Sequence, residues 1–362
     1  MRSRWIFAAS SLFLACSSDP TSEAASKANL AQDADASSPP GAVGEDDGGP
    51  GPLSSAPESY TNPVFAGDFP DPFVLDDGTR YLAFGTNAGT SNVRTLTSGD
   101  LASWSELPDA LPTLPAWAKA NASLTWAPSV LKRGGNYVLY YTARSIATGF
   151  QCIGRATAKT AAGPYTDDSN APFICQVDLC GSIDASPFVD ENGDAYLLWK
   201  SDENADACSA DARIWTQRLG VDGTSLLGNP TELARRDQTW ERPLIEGPSM
   251  MKYQASYYLF YSANWWESSS YGIGYAVCTS PAGPCTKKTI DGPLTGSTGD
   301  VLGPGGQEMF TDHAGKRWVA YHAWSAPIVG YANGGARSLR VDPLVFDGVV
   351  PRIDVSTAKG SL

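Results

Sequence analysis

The stretch DPFVLDDGTRYLAFGT (residues 71–86) sets a proline before an apolar strand, then a polar turn, then an aromatic-rich second strand. The pattern recurs as APSVLKRGGNYVLYYTA (127–143), SPFVDENGDAYLLWKS (186–201), GPSMMKYQASYYLFYSA (247–263) and GPGGQEMFTDHAGKRWVAYHAW (303–324). Its prolines are Pro72, Pro128, Pro187, Pro248 and Pro304, at intervals of 56, 59, 61 and 56 residues. Self-similarity at a near-fixed period marks a repeat architecture. Asp77-Gly78, Gly134-Gly135 and Asn192-Gly193 sit between alternating apolar runs, which specifies β-hairpins. The runs SNVRTLTS, QCIGRATA, RIWTQRLG and YGIGYAVC add further strands. Each unit suits a four-stranded sheet, and five such sheets arranged radially make an all-β, five-bladed β-propeller. Gly330 to Pro351 falls outside the repeat and is expected to supply the closing strand.

Composition agrees. The 362 residues include 36 Gly and 26 Pro, too much punctuation for a helical bundle. Hydrophobic residues make up 42%, enough to exclude wholesale disorder. The net charge of −13 argues against nucleic-acid binding, which needs a basic stripe.

The chain opens with Arg2 and Arg4 before the apolar run WIFAASSLFLA, which ends at Ala15-Cys16. A basic start, a short apolar core and a small residue before the cut describe a secretory signal, here residues 1–16. Cys16 directly after the small residue resembles a bacterial lipobox, in which the cysteine becomes the lipidated N-terminus. The expectation is therefore an exported protein, lipid-anchored at the cell surface or outer membrane through Cys16 and otherwise secreted. Residues 17–59 contain no aromatic side chain, carry a net charge of −7, and read as an acidic, disordered tether. Residues 60–362 then form the single folded domain. The cysteine count fits export: Cys152, Cys175, Cys180, Cys208, Cys278 and Cys285 allow three disulfides, in any of fifteen pairings. Cys278 and Cys285 flank the turn sequence TSPAGP and are expected to close a small loop.

In a propeller the innermost strands converge on one funnel, so residues just before each repeat proline come together. Those positions hold Asp71, Trp126, Asp184 and Glu246. Clustered carboxyls raise one another's pKa, and a raised acid beside an ionised one is what glycoside hydrolysis requires. Asp68 and Glu241 are the rival acids, and the phase relative to the prolines favours Asp71 and Glu246 over them.

The runs NPVFAGDFPDP (62–72), SIDASPFVDENG, IEGPSM and YHAW resemble glycoside hydrolase family 43, the five-bladed propeller arabinanases, arabinofuranosidases and xylosidases. The resemblance spans Tyr60 to Pro351. It implies Asp71 as general base, Glu246 as general acid and Asp184 as the residue that tunes the acid's pKa and orients it. It also implies inversion at the anomeric carbon. The implied substrate is a plant cell-wall polysaccharide, arabinan or arabinoxylan, cut at α-L-arabinofuranosyl linkages. A β-xylosidase and a non-catalytic carbohydrate-binding propeller are the alternatives. The chain is expected to act as a monomer without cofactor.

Around these acids, Trp126 is expected to pack on a sugar ring, with Asn264, His322 and Arg337 as further substrate contacts. Most other aromatics, including those of YYLFYSANWW, read as interblade packing. Many family members carry a fifth-blade GPGH run whose histidine faces a bound ion or water cluster. Here the run is Gly303-Pro304-Gly305-Gly306-Gln307, with Gln307 or Glu308 as the substitute, which weighs against a central calcium.

Overall fold

A computed structural model of the chain describes residues 59–120, 124–205, 207–353, 355 and 360–361. Cys16, the signal and the tether up to residue 58 lie outside the described residues. The repeat folds as a five-bladed β-propeller in which α-helix is absent among the described residues. Blade one is Phe73–Asp76, Tyr81–Gly85, Arg94–Ser98 and Ser105–Leu107. Blade two has three strands, Trp126–Arg133, Asn136–Arg144 and Gln151–Ala158. Blade three is Ser182–Val189, Ala195–Ser201, Arg213–Leu219 and Leu226–Arg235. Blade four is Ile245–Tyr253, Ser256–Ala263, Gly272–Cys278 and Cys285–Lys287. Each hairpin turn is where the Gly-containing dipeptides put it, with Arg133 facing Asn136 and Val189 facing Ala195.

Closure differs from expectation. Ser338–Asp347, within the 330–351 stretch, is only the third strand of blade five, after Val301–Thr311 and Arg317–Ser325. The fourth is Phe65–Asp68 from the N-terminal end of the domain, paired as Phe65 with Leu339 and Asp68 with Ser338. The fifth unit lacks its own outer strand, and the segment before Asp71 fills the edge and joins the first blade to the last.

Alternation along each strand builds the interior. Tyr141 faces back to a cluster with Phe84 of blade one, while its neighbour Tyr140 faces forward to Leu197 and Trp199 of blade three. Three further clusters span blades three and four, four and five, and five and one. Strands buried on both faces explain the nearly continuous apolar runs of the second strands. The disulfides are Cys278–Cys285, as expected, with Cys152–Cys175 and Cys180–Cys208.

One backbone feature recurs in every blade. Asp71, Ala127, Asp184, Gly247 and Gly306 all adopt left-handed conformations, with φ between 41° and 58°. In blades two to five this residue lies in a β-bulge of the innermost strand. Its amide donates to a side chain of the preceding blade: Asp71 to His322 Nδ1 (3.0 Å), Ala127 to Thr86 Oγ1 (3.0 Å), Asp184 to Thr142 Oγ1 (3.3 Å), Gly247 to Asp184 Oδ2 (3.0 Å) and Gly306 to Ser262 Oγ (2.8 Å). These five hydrogen bonds make a closed ring around the axis.

Asn62 fastens the N-terminal segment to blade five. Its amide nitrogen donates to Val341 O (3.2 Å) and Asp342 Oδ1 (3.0 Å), and its oxygen accepts from Val341 N (3.1 Å). Replacing Asn62 by Ala leaves the buried Val341 N–H without its acceptor and is expected to cost about 2 kcal/mol. Urea unfolding followed by tryptophan fluorescence checks this, and an unchanged midpoint would show that the N-terminal strand does not fasten the ring.

Candidate active site

A cavity of about 590 Å³ opens at the centre of the propeller, lined by Asp71, Trp126, Asp184, Glu246 and Arg337 among others. Five of the seven site residues expected from sequence therefore come together. The phase argument that selected them needs correction. Pro72, Pro128 and Pro248 follow the left-handed residue directly, but Pro187 lies three residues after Asp184 and Pro304 two before Gly306. Asp71 and Asp184 occupy the left-handed position itself, whereas Trp126 and Glu246 stand one residue earlier. Aspartate enters that conformation more readily than most non-glycine residues.

Asp71 is braced from three sides. Thr86 Oγ1 donates to its Oδ2 at 2.6 Å, Arg337 lies 3.6 Å from Oδ1, and its own amide is held by His322. Asp184 Oδ2 accepts the Gly247 amide, so this carboxyl grips the backbone directly after Glu246. Glu246 accepts the Tyr271 hydroxyl hydrogen at Oε1 (2.8 Å), and Lys200 Nζ approaches Oε2 to 3.5 Å. Lys200 is buried and also pairs with Asp202 at 3.2 Å.

Burial is the largest influence on both inner acids. It pushes Asp184 up, and the Glu246 charge adds to this against Lys200, to a pKa of about 8. Glu246 is also raised by burial, although Lys200 and the Tyr271 hydrogen bond pull it down. Burial lowers Lys200, but Glu246, Asp202 and Asp184 outweigh it and the net direction is up, so the ammonium stays charged. Glu308 lines the same cavity, accepts from Ser186 Oγ at 3.0 Å, and is raised by burial to about 8.

Two expected substrate contacts do not line the cavity. His322 is fully buried behind Asp71; burial, then Arg337, lowers its pKa to about 3, and the neutral ring accepts the Asp71 amide at Nδ1. Asn264 holds Trp240 O (3.1 Å) and caps the Trp265 amide (2.8 Å). The rival acids are structural: Asp68 accepts from Arg337 N and Tyr331 OH, and buried Glu241 accepts from the amides of Asp237 and Gln238 and from Lys287. Sequence reasoning missed Lys200 and Tyr271, while Glu308, one of the two expected axial substitutes, lines the cavity. Lys200 was the more visible of the two missed, a lone charge in the apolar strand AYLLWKS.

Two axial positions are taken up by packing and by hydrogen bonds. Gly306 stands where the family histidine is expected, and a Cβ there would meet the His322 ring at 2.4 Å and Asp71 Oδ1 at 2.8 Å. Gln307 is committed to Gly247 O (2.6 Å) and Ser262 Oγ (2.5 Å). Calcium takes six to eight oxygen ligands, and among the described residues no group of three or more His, Cys, Asp or Glu is placed to hold a metal.

Comparison with known proteins identifies the class. The sequence pattern of Glycosyl hydrolases family 43 matches residues 60–349, and the chain belongs to that family. It is 29% identical over 297 residues to the β-D-galactofuranosidase xynD of Aspergillus niger, covering 77% of this chain and 79% of that one. It is 29% identical over 287 residues to a probable arabinan endo-1,5-α-L-arabinosidase A of Aspergillus flavus, covering 73% and 84%. The crystal structure of a thermostable family-43 glycoside hydrolase superposes with a TM-score of 0.72 at 28% identity, over 82% of this chain and 96% of that one.

Because Asp184 has a pKa of about 8 when folded and about 3.9 when unfolded, the folded state keeps a proton that the unfolded state loses between those values. Its contribution to stability therefore falls as pH rises from about 4 to about 8. Asp184→Asn removes that loss and still presents an oxygen to Gly247. The variant is expected to be more stable than the parent at pH 8, with the gap closing toward pH 4, in urea unfolding at both values. The same gap at both would show that the Asp184 carboxyl is not held protonated.

Proposed function

We propose that this chain is an exported, inverting glycoside hydrolase that cleaves α-L-arabinofuranosyl linkages in arabinan or arabinoxylan. The observation that carries the reading is the division of labour among three carboxyls in one cavity. Asp71 sits against a guanidinium and accepts a hydroxyl hydrogen, the surroundings of a carboxylate. Glu246 is half-buried and its pKa is raised, the surroundings of a proton donor. In this reading Asp71 deprotonates the attacking water, Glu246 protonates the departing sugar oxygen, and Asp184 holds the backbone after Glu246 and tunes the acid by sharing with it the proton that the pair retains. Trp126 and Arg337 contact the substrate. Inversion requires base and acid to stand about 6.5–9.5 Å apart, with water between.

The furanosyl preference is supported by the relatives' names. An α-L-arabinofuranosyl and a β-D-galactofuranosyl ring share configuration at every ring carbon and differ only in the exocyclic group. A pocket shaped for that ring would suit either glycoside. The N-terminal signal supports export, with Cys16 as the anchor point.

Asp71→Asn is expected to lower kcat by about 10²- to 10⁴-fold on every substrate. Glu246→Gln should do so on arabinan but lose less on 4-nitrophenyl α-L-arabinofuranoside, whose phenolate departs without full protonation. Proton NMR of the first turnovers should show the β-anomer of arabinose released. Initial α-anomer, or activity on 4-nitrophenyl β-xyloside alone, would overturn the reading.

A further inference from the structure

The chain leaves the second strand of blade four at Asn264, a non-glycine residue with a φ of 77°. Its amide is held by Glu241 O (3.3 Å) and Leu244 O (3.1 Å), and its side chain bonds both Trp240 O and the Trp265 amide. So many bonds on one left-handed residue fix the direction in which the next two side chains leave. Trp266 lies under the Arg337 guanidinium, 4.5 Å from its ring centre, and packs on Tyr331 at 5.9 Å. Trp265 has no such cover. It lines the cavity and is 43% exposed, tilted at 35° to the Trp266 ring.

A lone exposed tryptophan needs no special account. This one differs in being both pinned by its backbone and set on the wall of the cavity that holds the carboxyls. It follows the strand paired to Ile245–Tyr253, so it lies on the same blade as Glu246, across the cavity from Trp126 of blade two. A proton donor faces the leaving group, and an aromatic face on the donor's blade and in the same cavity offers the leaving sugar a surface for its C–H groups. We propose that Trp265 is the platform for the leaving-group sugar, that Trp266 buttresses it, and that Asn264 is the positioning residue that aims it. The proposal rests on the hydrolase reading above, because it takes the Glu246 side as the leaving-group side. It replaces the expectation that the NWW tryptophans serve interblade packing, and gives Asn264 an indirect role in place of a substrate contact.

The test compares two substrates of wild type, Trp265→Ala and Trp265→Phe: arabinotriose and methyl α-L-arabinofuranoside, whose leaving group has no ring. Relative to wild type, Trp265→Ala is expected to lose about five- to tenfold more kcat/KM on the triose than on the methyl glycoside. Trp265→Phe should recover most of that difference, as a merely structural role would not. Equal losses on both substrates, or no loss on either, overturn the proposal. If wild type cleaves neither, the hydrolase reading has failed and the platform is judged by calorimetric binding of arabinotriose and xylotriose. Weaker binding by Trp265→Ala than by wild type then supports a sugar platform, and equal or absent binding overturns it.

Discussion

The ring of amide-to-side-chain hydrogen bonds between successive blades is the constraint on which the site depends. Each blade contributes a left-handed residue whose N–H has left the strand ladder and must find an acceptor elsewhere. The acceptor always comes from the blade before, so the five innermost strands are locked in relative height. Four acceptors, Thr86, Thr142, Ser262 and His322, stand at the same place near the end of the second strand. An unpaired buried amide costs roughly 1–3 kcal/mol, so each of these side chains is constrained independently of any chemistry. Left-handed alanine and aspartate are tolerated because the ring over-determines them.

The one exception falls at the chemistry. In blade three the corresponding residue is Ser201, and its hydroxyl turns instead to Glu203 at 2.7 Å. The Gly247 amide is taken by Asp184, a residue that belongs to the ring as donor and here serves as acceptor too. A carboxyl used as a structural joint is held more tightly than one at a loop tip. It also links the geometry of blade three to that of the residue after Glu246. Asp71 is treated alike from the other side, since the His322 ring that accepts its amide also lies 3.4 Å from its carboxylate.

Much of this was legible in the sequence, for reasons that differ by level. The hairpins were legible because Asp77-Gly78 and its counterparts specify turns locally. The five units were legible because burial on both faces writes apolar runs into each second strand. The phase was not. Proline fixes φ and removes a donor wherever it stands, so it is compatible with several positions around a bulge. Pro187 and Pro304 are displaced from the left-handed residue, and counting from the prolines reaches three acids of one cavity only by a loose rule. Closure was misread because Phe65–Asp68 pairs with strand Ser338–Asp347 from the far end of the chain, and four residues carry no register signal of their own. Asn264 and His322 stand out in the sequence as candidate substrate contacts, but polar residues at strand ends serve backbone acceptors and ligands equally well, and neither lines the cavity. The exposed face of Trp265 was invisible for the same reason that Trp199 looked similar: sequence does not distinguish a tryptophan packed at 1% exposure from one on a cavity wall.

The charges in the cavity also explain why the protons are where they are. Asp71, Asp184, Asp202 and Glu246 share two cations, Arg337 and Lys200. Arg337 sits beside Asp71, and Lys200 is divided between Asp202 and Glu246, so Asp184 has no cation in contact. Its Oδ2 accepts a backbone amide, which cannot offset burial beside a second carboxyl. The shortfall of positive charge therefore falls on the Asp184–Glu246 pair, which retains a proton through neutral pH, while Asp71 keeps its counter-ion. The same arrangement that locks blade three to blade four thus leaves the retained proton on the Asp184–Glu246 pair. The acid–base asymmetry of the cavity follows from the packing of the blades.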